Sequence, residues 1–333
     1  MIRLLTFNSH EAYCFDLARL GMPMDVVVEL AGHHHRNWDE RMRPLPANVR
    51  LCTMQEARGR RYDCIIAHNL TDLLACRGMA GAKILTFHSS LQGRLKQEQR
   101  GESGAEIRTL VDKYLKAVQA LPVVISPMKQ NTWALDRAKV IQGAVDCEEY
   151  CGYDGALDLG LRVANHITLK TEYLRWPLHE AAFQTATNEE PNAGSDRPNV
   201  RLVGVNPDFA GVEPASCWQT LKAYYRKHRF YVHTAAAPLE DGYNLAMLEA
   251  MATGMPIVTA THPSCPITQG VEGFVCDTAD ELRLAARRLL ADRELATRMG
   301  QAARARARID FSMKRFVSAW RETITEAIQS RTT

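Results

Sequence analysis

The sequence predicts an α/β protein built from two doubly wound domains in tandem. Short apolar runs alternate with amphipathic stretches of helix length. The alternation restarts near residue 160, and 333 residues fit two domains of ordinary size. Strands separated by helices pair in parallel, because a parallel pair needs a crossover.

In the first half, strands are expected at Ile2–Phe7, Asp25–Leu30, Val49–Cys52, Cys64–Ala67, Lys83–Phe87, Val123–Ser126 and Val140–Ile141. Helical spacing fills Glu11–Leu20, Asp72–Met79, Ala105–Gln119 and Met128–Ala134. A polar, Gly-containing stretch near Cys147–Leu159 separates the halves. The expected domains are 1–150, 151–311 and a terminal helical segment, 312–333. In the second half, strands are expected at Gly160–Asn165, Val200–Asn206, Phe230–Thr234, Pro256–Ala260 and Gly273–Cys276. Helices are expected at Thr171–Phe183, Trp218–His228, Leu245–Thr253, Ala279–Ala291 and Glu294–Ala307. The Asn-, Thr-, Ser- and Pro-rich stretch Gln184–Pro198 reads as a loop. The last helix, Ser312–Gln329, carries Phe316, Val317, Trp320, Ile324, Ala327 and Ile328 on one face and is expected to pack back on the domains.

Composition narrows the function classes. A net charge of +3 is too small to argue for nucleic acid. No apolar run approaches the ~20 residues of a membrane span. The N-terminus lacks the pattern of a secretory signal. The nine cysteines contain no Cys-x-x-Cys pair, and Cys14, Cys64 and Cys276 sit in apolar patterns. The expectation is a cytoplasmic protein without structural disulfide or metal. His33-His34-His35 is read as a solvated loop, since consecutive residues converge poorly on one ion. Arg304-Ala305-Arg306-Ala307-Arg308 is read as a solvated helix end. The loop Ser89–Gly104, with Arg94, Lys96 and Arg100, is read as a surface loop and as a candidate contact to a lipid-linked acceptor at a membrane surface, on the inner side.

The chemistry is expected in Asp241–Pro256, which follows the strand Phe230–Thr234. Open parallel sheets bind ligands at the carboxyl ends of their strands. Asp241 and Glu249 stand eight positions apart, bracketing the entry and second turn of one helix. Gly242 permits a tight backbone, and Asn244 is a candidate N-cap. The helix start offers free N–H groups and a positive dipole end to a phosphate. Gly254 and Pro256 stop the helix.

This segment resembles the Glu-x7-Glu motif of family four retaining glycosyltransferases of the GT-B fold, which read E-G-F-G-L-x-x-x-E-A-M-A-x-G-x-P-V-V. Here Asp241 stands for the first Glu and Asn244 for the second Gly. Val140–Asp146 is similar to the family's V-I-P-N-G-V-D, Asp63–His68 to D-V-I-H-A-H, and Gln269–Val275 to D-G-x-x-G-x-L. Thr86-Phe87-His88 resembles the strand end whose His faces the donor sugar in many relatives.

The resemblance implies two Rossmann-like domains facing a cleft, the second binding a UDP- or GDP-linked sugar and the first the acceptor. It implies a nucleotide-sugar donor as substrate, no cofactor, no protein-bound metal, and a glycan, lipid-linked or protein acceptor in cell-surface glycan or glycoconjugate synthesis. The implied catalytic residues are His88, Lys170 and Asp241. The implied donor-binding residues are Asn165, Lys170, Gly242, Tyr243, Asn244, Leu245 and Glu249, with Glu249 on the ribose hydroxyls. The family's G-R-L-x-x-x-K places Lys170 at the diphosphate-clamping Lys and Asn165 at the Arg, so Arg162 or Arg175 is a candidate replacement. Ser9 and His10, after the first strand, are the acceptor-side candidates, with helix capping as the alternative for Ser9. Two other readings remain open: a nucleotide-sugar epimerase on the same fold, and a degenerate subunit that binds nucleotide or glycan without catalysis.

Overall fold

The first unit of the structure, a computed structural model, is Met1–Gly143 joined by the segment from Met313 onward, and the second is Ala144–Ser312. Residues 1–30, 37–98, 103–188 and 196–331 are described. His33-His34-His35 lies outside them.

The first unit runs β1 (Leu4–Phe7), α1 (Glu11–Ala18), β2 (Met24–Val27), β3 (Val49–Cys52), α2 (Met54–Arg58), β4 (Cys64–Ala67), α3 (Leu70–Ala75), β5 (Ala82–Phe87), α4 (Leu91–Glu98), α5 (Gly104–Ala117), β6 (Ala120–Val124), α6 (Pro127–Trp133) and β7 (Lys139–Val140). Its sheet is parallel, in the order β3-β2-β1-β4-β5-β6-β7. Strands β1 and β4 are buried throughout, as expected when helices cover both faces of a parallel sheet.

The second unit runs β8 (Leu157–Val163), α7 (Trp176–Ala182), β9 (Gln184–Ala186), β10 (Asn199–Val203), α8 (Trp218–Lys227), β11 (His228–His233), α9 (Leu245–Thr253), β12 (Ile257–Ala260), β13 (Gly273–Cys276), α10 (Ala279–Ala291) and α11 (Arg293–Asp310). Its parallel sheet is ordered β13-β12-β11-β8-β10-β9. The last helix, α12 (Met313–Gln329), packs on β4 and β5 of the first unit, burying Phe316, Trp320, Ile324 and Ala327. Cys14, Cys64 and Cys276 are core residues, as their apolar surroundings predict.

Helix α9 is closely packed on α11. A Cβ at Gly300 would sit 1.8 Å from the carbonyl oxygen of Gly254. Gly254 itself ends α9 in the left-handed region, at φ 102°, where glycine carries no steric cost.

Several sequence expectations need correction. Ser89–Gly104 is not a loop, because α4 occupies Leu91–Glu98. Leu91 is buried and Leu95 packs beside it on the same core, four residues on, while Ser90 Oγ accepts from the Gly93 N–H at 3.0 Å. The helix expected at Thr171–Phe183 starts only at Trp176, with Pro177 in its first turn and Arg175 held at φ 46°. Turns fill the preceding residues. The loop expected from Gln184 opens with β9, while residues 189–195 lie outside the described set. The five-residue α2 was invisible to periodicity, although Thr53 and Glu56 close a capping box on it. Arg304 and Arg306 do not form a solvated helix end. Arg304 donates to the carbonyls of Cys147, Tyr150 and Ala252, and Arg306 pairs with Glu272 at 2.9 Å.

Candidate functional site

In the second unit the strand order reverses between β8 and β11, the place where doubly wound sheets bind ligands. The loops leaving these strands carry most of the donor-side candidates. They are joined directly: Ala236 N–H donates to Tyr173 O at 2.8 Å, and Thr234 Oγ1 donates to Leu174 O.

Asn244 caps α9, its Oδ1 accepting from Met247 N–H at 2.8 Å. The cap has extended backbone, and Leu245 is the first helical residue. Gly242 is a residue of close approach, since an added Cβ would lie 2.7 Å from His262 Nδ1 and 2.8 Å from His262 Cβ. Its N–H donates to Ser264 Oγ at 2.9 Å. Asp241 is 3% exposed, and Ser264 Oγ lies 3.4 Å from its Oδ1. Its own N–H donates to Glu240 Oε1 at 3.0 Å. Tyr243 is buried with its ring 5.3 Å from that of Phe311. His262 is lowered from its ordinary pKa by burial, with Asp241 and Glu240 opposing the shift and Arg175 reinforcing it.

Glu249 is buried in the second turn of α9, yet both oxygens are held. Tyr150 donates to Oε1 at 2.6 Å and Tyr225 donates to Oε2 at 2.9 Å. Trp218 Nε1 in turn donates to the Tyr150 hydroxyl at 2.9 Å. Arg304 anchors the segment that delivers Tyr150 by bonding the carbonyls of Cys147 and Tyr150. Burying a carboxylate is costly without such partners.

The loop after β8 divides the remaining candidates. Lys170 is exposed, with no side-chain partner among the described residues. Asn165 is tied into the loop, its Oδ1 accepting from Val205 N–H at 2.8 Å. Arg162 is 2% exposed and donates to Leu174 O at 3.0 Å, which removes it as a surface cation for a ligand. Its role is to hold the turn that carries Lys170 to Arg175. Arg175 is half-buried and close enough to His262 to disfavour its protonation.

The first unit has its own strand-order reversal, between β1 and β4. His10, His68 and His88 follow β1, β4 and β5, which are neighbours in the sheet. His68 Nδ1 and His88 Nε2 share a hydrogen bond of 2.9 Å, and the ring of His10 stacks on that of His88 with centroids 6.4 Å apart. Burial holds His88 well below its ordinary pKa, and His68, His10 and Lys129 push the same way. Ser9 Oγ donates to Asp72 Oδ2 at 3.1 Å, and the same oxygen accepts from His68 N–H at 2.9 Å. Ser9 does not cap α1. The N-cap is His10, whose Nδ1 accepts from Tyr13 N–H at 3.3 Å. A small cavity of about 60 Å³ lies beside His68, Thr86, His88, Arg94 and Trp133.

Sequence reasoning missed Tyr150, Tyr225, His262 and Ser264. Tyr225 shares the apolar face of α8 with Trp218 and Leu221. A buried phenol needs a partner, and that was the available signal.

Residues 214–306 match the family model for glycosyl transferases group 1. No curated protein sequence gives a match. Among solved structures, the chain is similar to HepE of Anabaena, in complex with UDP-glucose, with a TM-score of 0.70 and 16% identity over 98% of this chain and 100% of that one. It is also similar to sucrose-phosphate synthase of Thermosynechococcus elongatus, with a TM-score of 0.68 and 13% identity over 99% and 100% of the two chains. A glycosyltransferase of Rickettsia africae gives a TM-score of 0.62 and 13% identity over 98% of each chain. Residues 214–306 therefore belong to the glycosyl transferases group 1 family, and the chain carries them on the GT-B fold of glycosyltransferases.

Proposed function

We propose that the chain transfers a sugar from a UDP- or GDP-linked donor to an acceptor hydroxyl, with retention of configuration and without a protein-bound metal. The observation that carries this reading is the placement of α9. Its capped start and Glu249 stand at the strand-order reversal of the second unit, inside the segment that matches the family. The complex of HepE with UDP-glucose supports a uridine donor.

Transfer requires departure of a nucleoside diphosphate, so the protein must offset the charge that develops on it. The N–H groups at the start of α9 and the ammonium of Lys170 supply that offset. Glu249 accepts from the ribose hydroxyls. Asp241 and His88 are assigned to the transferred sugar. The acceptor is a glycan, a lipid-linked saccharide or a protein, as in cell-surface glycan and glycoconjugate synthesis, with Ser9 and His10 on the acceptor side. A membrane-surface encounter would use Arg94 and Lys96 on α4, although Arg94 is already paired with Glu98 at 2.7 Å. No helix among the described residues is long and apolar enough to cross a membrane.

One observation favours a second reading, donor binding without turnover. Asp241 is buried beside Ser264, so a sugar contact requires the loop to turn its carboxylate outward. The two readings separate in one assay. UDP- and GDP-sugars are incubated with simple glycoside acceptors, and release of the diphosphate is followed together with the anomeric configuration of the product. Transfer with retention supports the proposal. Binding with no release under any acceptor supports the alternative, and an inverted product contradicts the mechanism.

A further inference from the structure

The histidines of the first unit form a directed hydrogen-bond chain. Thr6 Oγ1 is fully buried in β1, 3.1 Å from Ile66 O and 2.8 Å from His68 Nε2. His68 is 4% exposed, and its Nδ1 lies 2.9 Å from His88 Nε2. With both rings neutral, one arrangement gives each of these three contacts a hydrogen. The Thr6 hydroxyl donates to Ile66 O, His68 Nε2–H donates to Thr6, and His88 Nε2–H donates to His68 Nδ1. The reverse direction would set the oxygen lone pairs of Thr6 and Ile66 against each other at 3.1 Å. The nearby Cys14 thiol donates to Phe7 O at 3.2 Å, and its sulfur lies 4.0 Å from His68 Nε2, against 2.8 Å for the Thr6 oxygen, so Thr6 is the better-placed acceptor for His68 Nε2–H. His88 is held neutral by its surroundings, as the direction requires.

We infer that His68, anchored by Thr6, is a positioning residue that fixes the tautomer and orientation of His88, so that His88 presents Nδ1 as an acceptor to a substrate hydroxyl. The substrate-facing half of this inference rests on the proposed role of His88. The tautomer half stands on the hydrogen-bond chain alone. Partners beyond the first contact set which ring nitrogen of a histidine is protonated.

The test reads the two halves separately. Nitrogen-15 NMR of the imidazoles in the full chain at neutral pH gives the protonated nitrogen of His88 without any substrate. Protonation at Nε2 is expected. Thr6→Val keeps the shape but removes the hydroxyl, and it should convert His88 to a mixture of tautomers, while Thr6→Ser restores the original signal. His68→Gln should shift the same signal by a different route. In a donor–acceptor assay, Thr6→Val should lower kcat about tenfold with KM little changed, the factor carried by one ordinary hydrogen bond. Protonation of His88 at Nδ1 in the unaltered chain, or no tautomer change in folded Thr6→Val and His68→Gln, overturns the positioning role. A shifted tautomer with unchanged kcat overturns the substrate-facing role and leaves the transferase reading to stand on the second unit.

Discussion

Tyr225 donates its phenolic hydrogen to Oε2 of Glu249 at 2.9 Å, from one helix of the second unit to the next. With Tyr150 on Oε1, the carboxylate is fixed before any ligand arrives. Each carboxylate oxygen can accept more than one hydrogen bond, so a bond from a tyrosine does not by itself bar a ribose hydroxyl. Pre-fixing the acid lowers the ordering cost of binding.

Replacing Glu249 should therefore weaken nucleotide binding strongly. Glu249→Ala is expected to cost about 1.5–3 kcal/mol, or about 10- to 150-fold in the Kd of UDP or GDP. Tyr225→Phe should have a smaller effect on affinity and cost about 1 kcal/mol of stability. Titration calorimetry on both variants checks this. Unchanged affinity in a folded Glu249→Ala protein would remove Glu249 from the site.

Lys170 should act on the leaving group more than on ground-state binding. Lys170→Ala is expected to lower kcat by roughly 100-fold, the scale of losing one preorganised charge donor, with only a modest change in nucleoside affinity. Arg175→Ala tests whether a second cation shares the role that Asn165 cannot fill. Wild-type turnover in Lys170→Ala would show that the clamp lies elsewhere.

Stability should fall in acid from about pH 6.5 downward. Burial pushes both His228 and His233 down to about 4. Between that value and about 6.5, the unfolded chain binds protons that the folded chain refuses. Their contribution is complete above about pH 6.5 and is lost as pH falls toward 4, on the order of 3 kcal/mol for each. Denaturant midpoints at pH 7 and pH 4.5 measure the slope, and His233→Gln should flatten it. A pH-independent midpoint would contradict the assignment.

Close packing at the end of α9 gives a structural control. Gly300→Ala puts a methyl group against the Gly254 carbonyl and is expected to cost at least about 1–3 kcal/mol. Thermal unfolding reads it directly. A melting temperature equal to wild type would mean that α9 and α11 sit farther apart than described.

The sequence made every strand but the three-residue β9, the helix start at Asn244 and the stop at Gly254 legible, because periodicity and capping are local. The turn before Trp176 was not legible. Its geometry depends on Arg162 in β8 and Thr234 just after β11, which both bond Leu174 O. The helix α4 was hidden because only Leu91 and Leu95 mark its buried side amid polar residues. At the candidate site, Glu249 and Asp241 could be named only because the whole segment Asp241–Pro256 resembles a family motif; their spacing alone would not have marked them. Tyr150 and Tyr225 could not, since they reach Glu249 across 99 and 24 positions of chain. His262 and Ser264 come from the loop after β12, beyond any local signal.

The most direct test of the central claim is a thermal-shift panel of UDP-, GDP-, ADP- and CMP-sugars on the intact chain and on Glu249→Ala. A ligand at 100 times its Kd adds about 2.7 kcal/mol to the folded state. The expected result is a raised melting temperature with one UDP or GDP series, lost in Glu249→Ala. No rise with any nucleotide sugar at millimolar concentration, or a rise that survives in Glu249→Ala, would contradict a donor site built on α9.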